Sequence, residues 1–309
     1  MHRHPLPLLV LLLALAPLAS AAQPAVAQGR DLQGTWSNGT ITPLERPADL
    51  AGKAYFTEAE AAEYERTWLD SFRKNFSELD LMAPDLDYTY IDRQKVVPSL
   101  RTSLITDPPD GKIPPPLPEA KARADARPKP THDDPEDFGL AERCLMETSF
   151  GASTSAPPLV PSPFGQNYYQ IVQTPTQVLI FSELIHHSRV VRIGRTHLPS
   201  AVQFWLGDSI GHWDGDTLVV DTTNFSDRTH FRSSGTRLHV LERFRRTSPT
   251  TIDYAFTVDD PETWAQPWSA EVPFRAVGDR IFEYACHEGN YSMTNMLRGA
   301  RADEKAGAR

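Results

Sequence analysis

Residues 210–224 read Ile210-Gly211-His212-Trp213-Asp214-Gly215-Asp216-Thr217-Leu218-Val219-Val220-Asp221-Thr222-Thr223-Asn224. Two short runs, 210–214 and 217–224, flank an Asp-Gly step of the kind that closes a tight hairpin. β-Branched residues fill the second run, and they pack well on a pleated surface. The stretch therefore predicts two antiparallel strands joined by a short turn. The same punctuation continues on both sides. Strands are predicted near 167–174, 177–186, 189–193, 237–246, 251–259, 268–276 and 280–287. Thr174-Pro175-Thr176, Ser248-Pro249-Thr250 and Val277-Gly278-Asp279 mark reversals between them. Many short strands with no helical period between them imply a mainly β unit, an antiparallel meander barrel or sandwich over 141–299. A meander of about eight strands closing on itself removes exposed edges.

The first 27 residues read as a secretory leader. Arg3 supplies a basic start, Leu6 to Leu18 are nearly all Leu, Ala and Val, and Ala19-Ser20-Ala21 and Ala25-Val26-Ala27 are small-x-small cleavage sites. The apolar run is short for a bilayer span, and no later stretch is apolar enough to serve as one. A periplasmic or secreted protein is expected. Cleavage removes one charged side chain, Arg3, and leaves 30 basic against 40 acidic groups, a net charge of −10. Such a surface is poorly suited to nucleic acid or anionic lipid.

The two cysteines, Cys144 and Cys286, most simply form one disulfide in an oxidising compartment. Two free thiols are the alternative. Neither lies in a Cys-x-x-Cys pair, so redox catalysis is not indicated.

Residues 28–140 are expected to form an N-terminal helix and a Pro-rich arm. Thr57 and Glu60 make a capping box, and Ala61, Tyr64, Trp68 and Phe72 follow at helical spacing. From Pro98 to Pro135 proline is dense, with Pro114-Pro115-Pro116 favouring polyproline II. The apolar residues Val96, Val97, Leu100, Leu104 and Ile105 favour an arm docked on the barrel over a free linker. Residues 300–309 are expected to be a disordered tail.

Two resemblances extend this organisation. Gly34-Thr35-Trp36 resembles the Gly-x-Trp signature of lipocalins, which implies a lipocalin-like barrel whose closed end is plugged by the indole. Trp205-Leu206-Gly207-Asp208-Ser209, the stretch from Gly211 to Phe225, and Glu283-Tyr284-Ala285-Cys286-His287-Glu288-Gly289-Asn290-Tyr291 are similar to segments of an uncharacterised family of exported bacterial proteins. The likeness also takes in Arg101 to Ile105 and Asp107 to Gly111. It implies one structural unit and carries no activity.

Strand parity singles out the candidate chemistry. Leu179, Phe181, Glu183 and Ile185 would share one face, as would Leu238, Val240, Glu242 and Phe244. A carboxylate on an apolar face must find a partner or change its pKa. If Glu183, Glu242 and His287 converge, they supply a general base and a general acid. A structural alternative pairs each Glu with an Arg, among them Arg189, Arg192, Arg243, Arg245 and Arg275. Histidine is concentrated late, at His186, His187, His197, His212, His230, His239 and His287, but without His-x-His or His-Glu-x-x-His spacing, so no metal or other cofactor is expected. Gly-x-Ser-x-Gly, Walker and dinucleotide motifs are missing from the sequence.

Two functions of different class follow. One is an exported protein that binds a small, partly apolar molecule in a barrel cavity lined by Trp205, Trp264 and Trp268. The other is a cofactor-free lyase, isomerase or hydrolase, with Glu183 or Glu242 as base, His287 or His186 as acid, and Asn290 or Asn224 orienting substrate. An envelope interaction protein with a filled core is a third.

Overall fold

The computed structural model of the protein describes residues 28–80, 94–127, 133–146, 153, 155–162, 167–229, 231–278 and 280–307. The leader expected over 1–27, His230 and Asp279 of the last expected reversal lie outside them. Ten strands form one sheet: β1 (Gly34–Ser37), β2 (Ile105–Asp107), β3 (Tyr168–Gln173), β4 (Gln177–Ser182), β5 (Ser188–Ile193), β6 (Asp208–Asp214), β7 (Thr217–Thr223), β8 (His239–Ser248), β9 (Thr251–Asp259) and β10 (Trp268–Ala276). β3 to β10 follow one another around the sheet, and β1 joins β3 to β10, closing a nine-stranded barrel. β2 adds to the other half of the β10 edge. The barrel is therefore completed by strands from the N-terminal region as well as from 141–299.

The opening hairpin forms as its residues demand. Asp214 pairs with Thr217, and Gly215 supplies the positive φ of 57° at the turn. The meander has one break. β5 and β6 are parallel, paired only at Arg192–Ile210 and Ile193–Gly211, and joined by the long loop 194–207. Gly211 faces inward at this seam. A Cβ there would lie 2.8 Å from Val191 Cγ1, so glycine permits the close approach of the two strands.

The 280–287 segment is not a strand. It runs without regular structure to a short helix, α3 (Cys286–Gly289), followed by α4 (Tyr291–Lys305). With β1 on the free edge of β10, the last strand position is already taken. α4 also carries helical structure past residue 300 to Lys305.

Bulky side chains fill the barrel. Phe244 and Tyr254 lie 4.7 Å apart between ring centroids, Tyr169 and Phe274 5.1 Å, and Phe256 and Trp268 5.9 Å. Trp36 is buried, and its indole N–H donates to Leu32 O at 3.0 Å. The Arg246 guanidinium covers it 5.3 Å from the ring.

The arm is ordered where it is described. Val97, Leu104 and Ile105 join the barrel core. Pro116 bridges to Trp264, and α2 (Pro118–Asp125) follows. The helix predicted from Thr57 is α1 (Glu58–Asp80). Its capping box is formed in both directions, by Thr57 N–H to Glu60 and Glu60 N–H to Thr57 Oγ1. Ala61, Tyr64 and Trp68 pack in a satellite cluster with Ile41, Phe56 and Val96. Among the described residues no helix is long and apolar enough to cross a membrane.

Candidate functional site

Glu183 and Glu242 do not meet. Both faces of residues 177–182 are apolar, so alternation leaves open which one is interior. Pairing decides it: Tyr169 opposite Ser182 and Ile171 opposite Ile180 put Val178, Ile180 and Ser182 inside. Leu179 and Phe181 face outward, contrary to the expected parity. The strand then ends, and Ile185 and His186 adopt positive φ. Glu183 sits in this turn, beyond the barrel interior.

Glu242 is on the inner face, as its parity predicted, and it is fully buried. Arg189 of β5 grips it through both Nη atoms, one contact measuring 3.0 Å. The Tyr254 hydroxyl donates to Oε1 at 2.9 Å and accepts from Leu159 N–H at 2.8 Å. Burial raises the Tyr254 hydroxyl well above its ordinary pKa. This is the arginine pairing named as the structural alternative. It ties up Glu242, so the carboxylate cannot serve as a free base without breaking the pair.

Trp264 and Trp268 are also interior, with centroids 6.0 Å apart and Trp268 stacked on Phe231. They pack the core in place of the cavity mouth expected for them. Trp205 is half-buried in the loop between β5 and β6, where its carbonyl accepts from Thr229. Asn224, at φ 56°, donates to Leu198 O at 3.0 Å and so holds that loop. Asn290 caps α4 by accepting from Met293 N–H at 3.2 Å and donates to Glu142 O at 2.7 Å.

His186 and His287 line one cleft. Residues 281–288 run beside the end of β4 and enclose a cleft of about 480 Å³ with Phe181 and His186. Phe282 N–H donates to Glu183 Oε2 at 3.0 Å, and His186 Nδ1 faces Tyr284 O at 3.2 Å. A carbonyl only accepts, so Nδ1 carries the proton, and Nε2 of the neutral ring is left as an acceptor. Burial pushes the Glu183 carboxyl up, opposed by the Phe282 N–H. Glu283, His287 and Glu288 are exposed along the cleft.

The Cys144–Cys286 disulfide is formed and fastens this segment to residues 141–146. Both cysteines line a second cleft of about 430 Å³, and Tyr284 and Ala285 belong to both.

A separate polar network crosses the parallel seam on the outer surface. Arg192 donates to both oxygens of Asp208 at 2.7 and 2.9 Å. His197 bridges Asp208 at 3.0 Å and Asp221 at 3.1 Å, and His239 reaches Asp221 at 2.9 Å. Burial raises Asp208, but Leu198 N–H, His197 and Arg192 outweigh it and leave the carboxyl below its ordinary value. The bond from His239 lowers Asp221 against the effect of burial, and the same bond raises His239. Sequence reasoning named the two histidines and missed Asp208 and Asp221. Their outward parity on β6 and β7 was available, but the crossing of loop 194–207 over both was not. Among the described residues no group of three histidines, cysteines or carboxylates is arranged to hold a metal ion.

No family model, curated protein or solved structure matches this chain.

Proposed function

We propose that the protein is an exported binding protein for a small, partly apolar molecule, and that the molecule binds at the barrel rim in the cleft between β4 and residues 281–288. The carrying observation is the cleft itself. Its size falls within the range of small-molecule sites, about 300–1,000 Å³. It joins apolar walls, Phe181, Ile281 and Phe282, to a few polar groups, His186, Glu283, His287 and Glu288. The packed aromatics inside the barrel favour the rim over the interior as the place for a ligand. Backbone resonances followed during titration with a panel of small amphiphiles test this. Shifts should concentrate at 181, 186 and 281–288, and shifts confined to any other region would overturn the assignment.

A second reading, acid–base catalysis in the same cleft, is favoured by one observation: Glu183, raised by burial, bonds the cleft wall at Phe282 N–H, and His186 lines the cleft. His186 would be the proton acceptor and Glu183 the protonated partner. Loss of turnover in His186→Gln, with ligand affinity retained, would select this reading.

A further inference from the structure

We propose that the ligand of the rim cleft is a small organic cation, an ammonium or amidinium group carried on an apolar, preferably aromatic, body. The proposal rests on the reading of this cleft as a binding site and names the class of molecule it takes.

Beside the two imidazoles of His186 and His287, the charged groups of the cleft are both carboxylates. Glu283 and Glu288 present exposed carboxylates along it. His186 commits its Nδ1 proton to Tyr284 O, which leaves Nε2 as an acceptor in the neutral tautomer. No lysine or arginine is among the lining residues. A ligand that satisfies this set must bring donors, and two carboxylates on one small cleft favour donors that carry positive charge. An anion would meet repulsion from both.

The apolar side of the lining agrees. Phe181 faces outward from β4, and Phe282 is 60% exposed. Aromatic faces attract cations through their quadrupole and offer a flat surface to an aromatic body. The acidic chain as a whole adds a long-range attraction for a cation.

Three probes of one shape separate charge from bulk: tryptamine, the neutral alcohol tryptophol, and indole-3-acetate. Each is titrated calorimetrically into the purified protein at neutral pH and low salt. Tryptamine should bind about tenfold tighter than tryptophol, with indole-3-acetate weakest. Raising the salt should weaken tryptamine and leave tryptophol unchanged. The double variant Glu283→Gln/Glu288→Gln should lower tryptamine affinity about tenfold without moving tryptophol. Both carboxylates are exposed, so the variant should fold, which an unchanged urea midpoint verifies. Equal or tighter binding of the alcohol or the acid, or an indifferent double variant, overturns the cationic class while leaving the cleft a binding site. If none of the three binds, the assignment of the cleft as a binding site falls as well.

Discussion

Arg189 and Glu242 meet inside the barrel from strands that are not neighbours: β5 and β8 are separated in the sheet by β6 and β7. The pair therefore spans the interior and ties together the two sides of the parallel β5–β6 seam, where the backbone ladder is only two residue pairs long. A buried ion pair adds little net stability against an apolar substitute, but removing one partner strands the other charge.

Glu242→Ala should accordingly lower unfolding stability by about 3–5 kcal/mol in urea. Arg189→Met combined with Glu242→Leu should recover much of the loss, because no charge is left unpaired. A fully stable Glu242→Ala variant would show that the pair is not needed to hold the seam.

The seam network should give stability a dome-shaped dependence on pH. Asp208 and Asp221 have folded values below their unfolded ones, so their contribution is present above the ordinary carboxylate range. It is lost as pH falls through the lowered values. His239 has a raised folded value, so its contribution is complete below the unfolded value of about 6.5 and is lost as pH rises through the folded one. His239→Gln should flatten the alkaline side of the urea-midpoint profile and, on the acid side, reduce the share of Asp221 while sparing that of Asp208. An unchanged alkaline slope would remove His239 from the network's energetics.

Glu183 behaves with the opposite sign to the two aspartates. Its folded value is raised, so stability falls as pH climbs from the ordinary carboxylate range through the folded value. Glu183→Gln should raise the melting temperature at neutral pH and leave it unchanged near pH 4. The amide oxygen can still accept from Phe282 N–H. Destabilisation at neutral pH would show that the charged form is required.

Reducing the disulfide, or replacing Cys144 and Cys286 by Ser, should cost about 2–5 kcal/mol. The larger effect should be local. Phe282 N–H to Glu183 and His186 to Tyr284 O are hydrogen bonds that still link residues 281–288 to the β4 end. Hydrogen exchange should accelerate across 281–290 and leave β7 to β9 protected. Equal acceleration in both regions would mean that the disulfide supports the whole barrel.

Arg246→Ala should lower stability by about 1–2 kcal/mol and change Trp36 fluorescence. The guanidinium covers the indole and donates to Asp31 O and Pro249 O, both at 2.8 Å. Unaltered emission would separate Arg246 from the barrel end.

Most strands were legible because each is a local object. Val240, Glu242 and Phe244 alternate with exposed Arg243 and Arg245, and Gly215 marks its own turn. The capping box of Thr57 and Glu60 involves four residues and was readable for the same reason. Residues 280–287 were misread because Ile281 and Phe282 have strand composition but no partner edge was left for them. Local sequence carries propensity; an edge is a property of the assembled sheet. Glu183 shows the same limit at the level of one side chain, since an apolar run on both faces leaves inside and outside undetermined until Tyr169 and Ser182 pair.

The sequence by itself determined a mainly β chain, most of its turns, the helix capped by Thr57 and Glu60, and the inward position of Glu242, all through contacts within a few residues. Only the tertiary structure decided that Arg189 answers Glu242, that β1 closes the barrel, and that His186 and His287 share a cleft. Those pairings join positions tens to hundreds of residues apart, and which distant groups meet is set by how the closed sheet and the disulfide fold the chain back on itself.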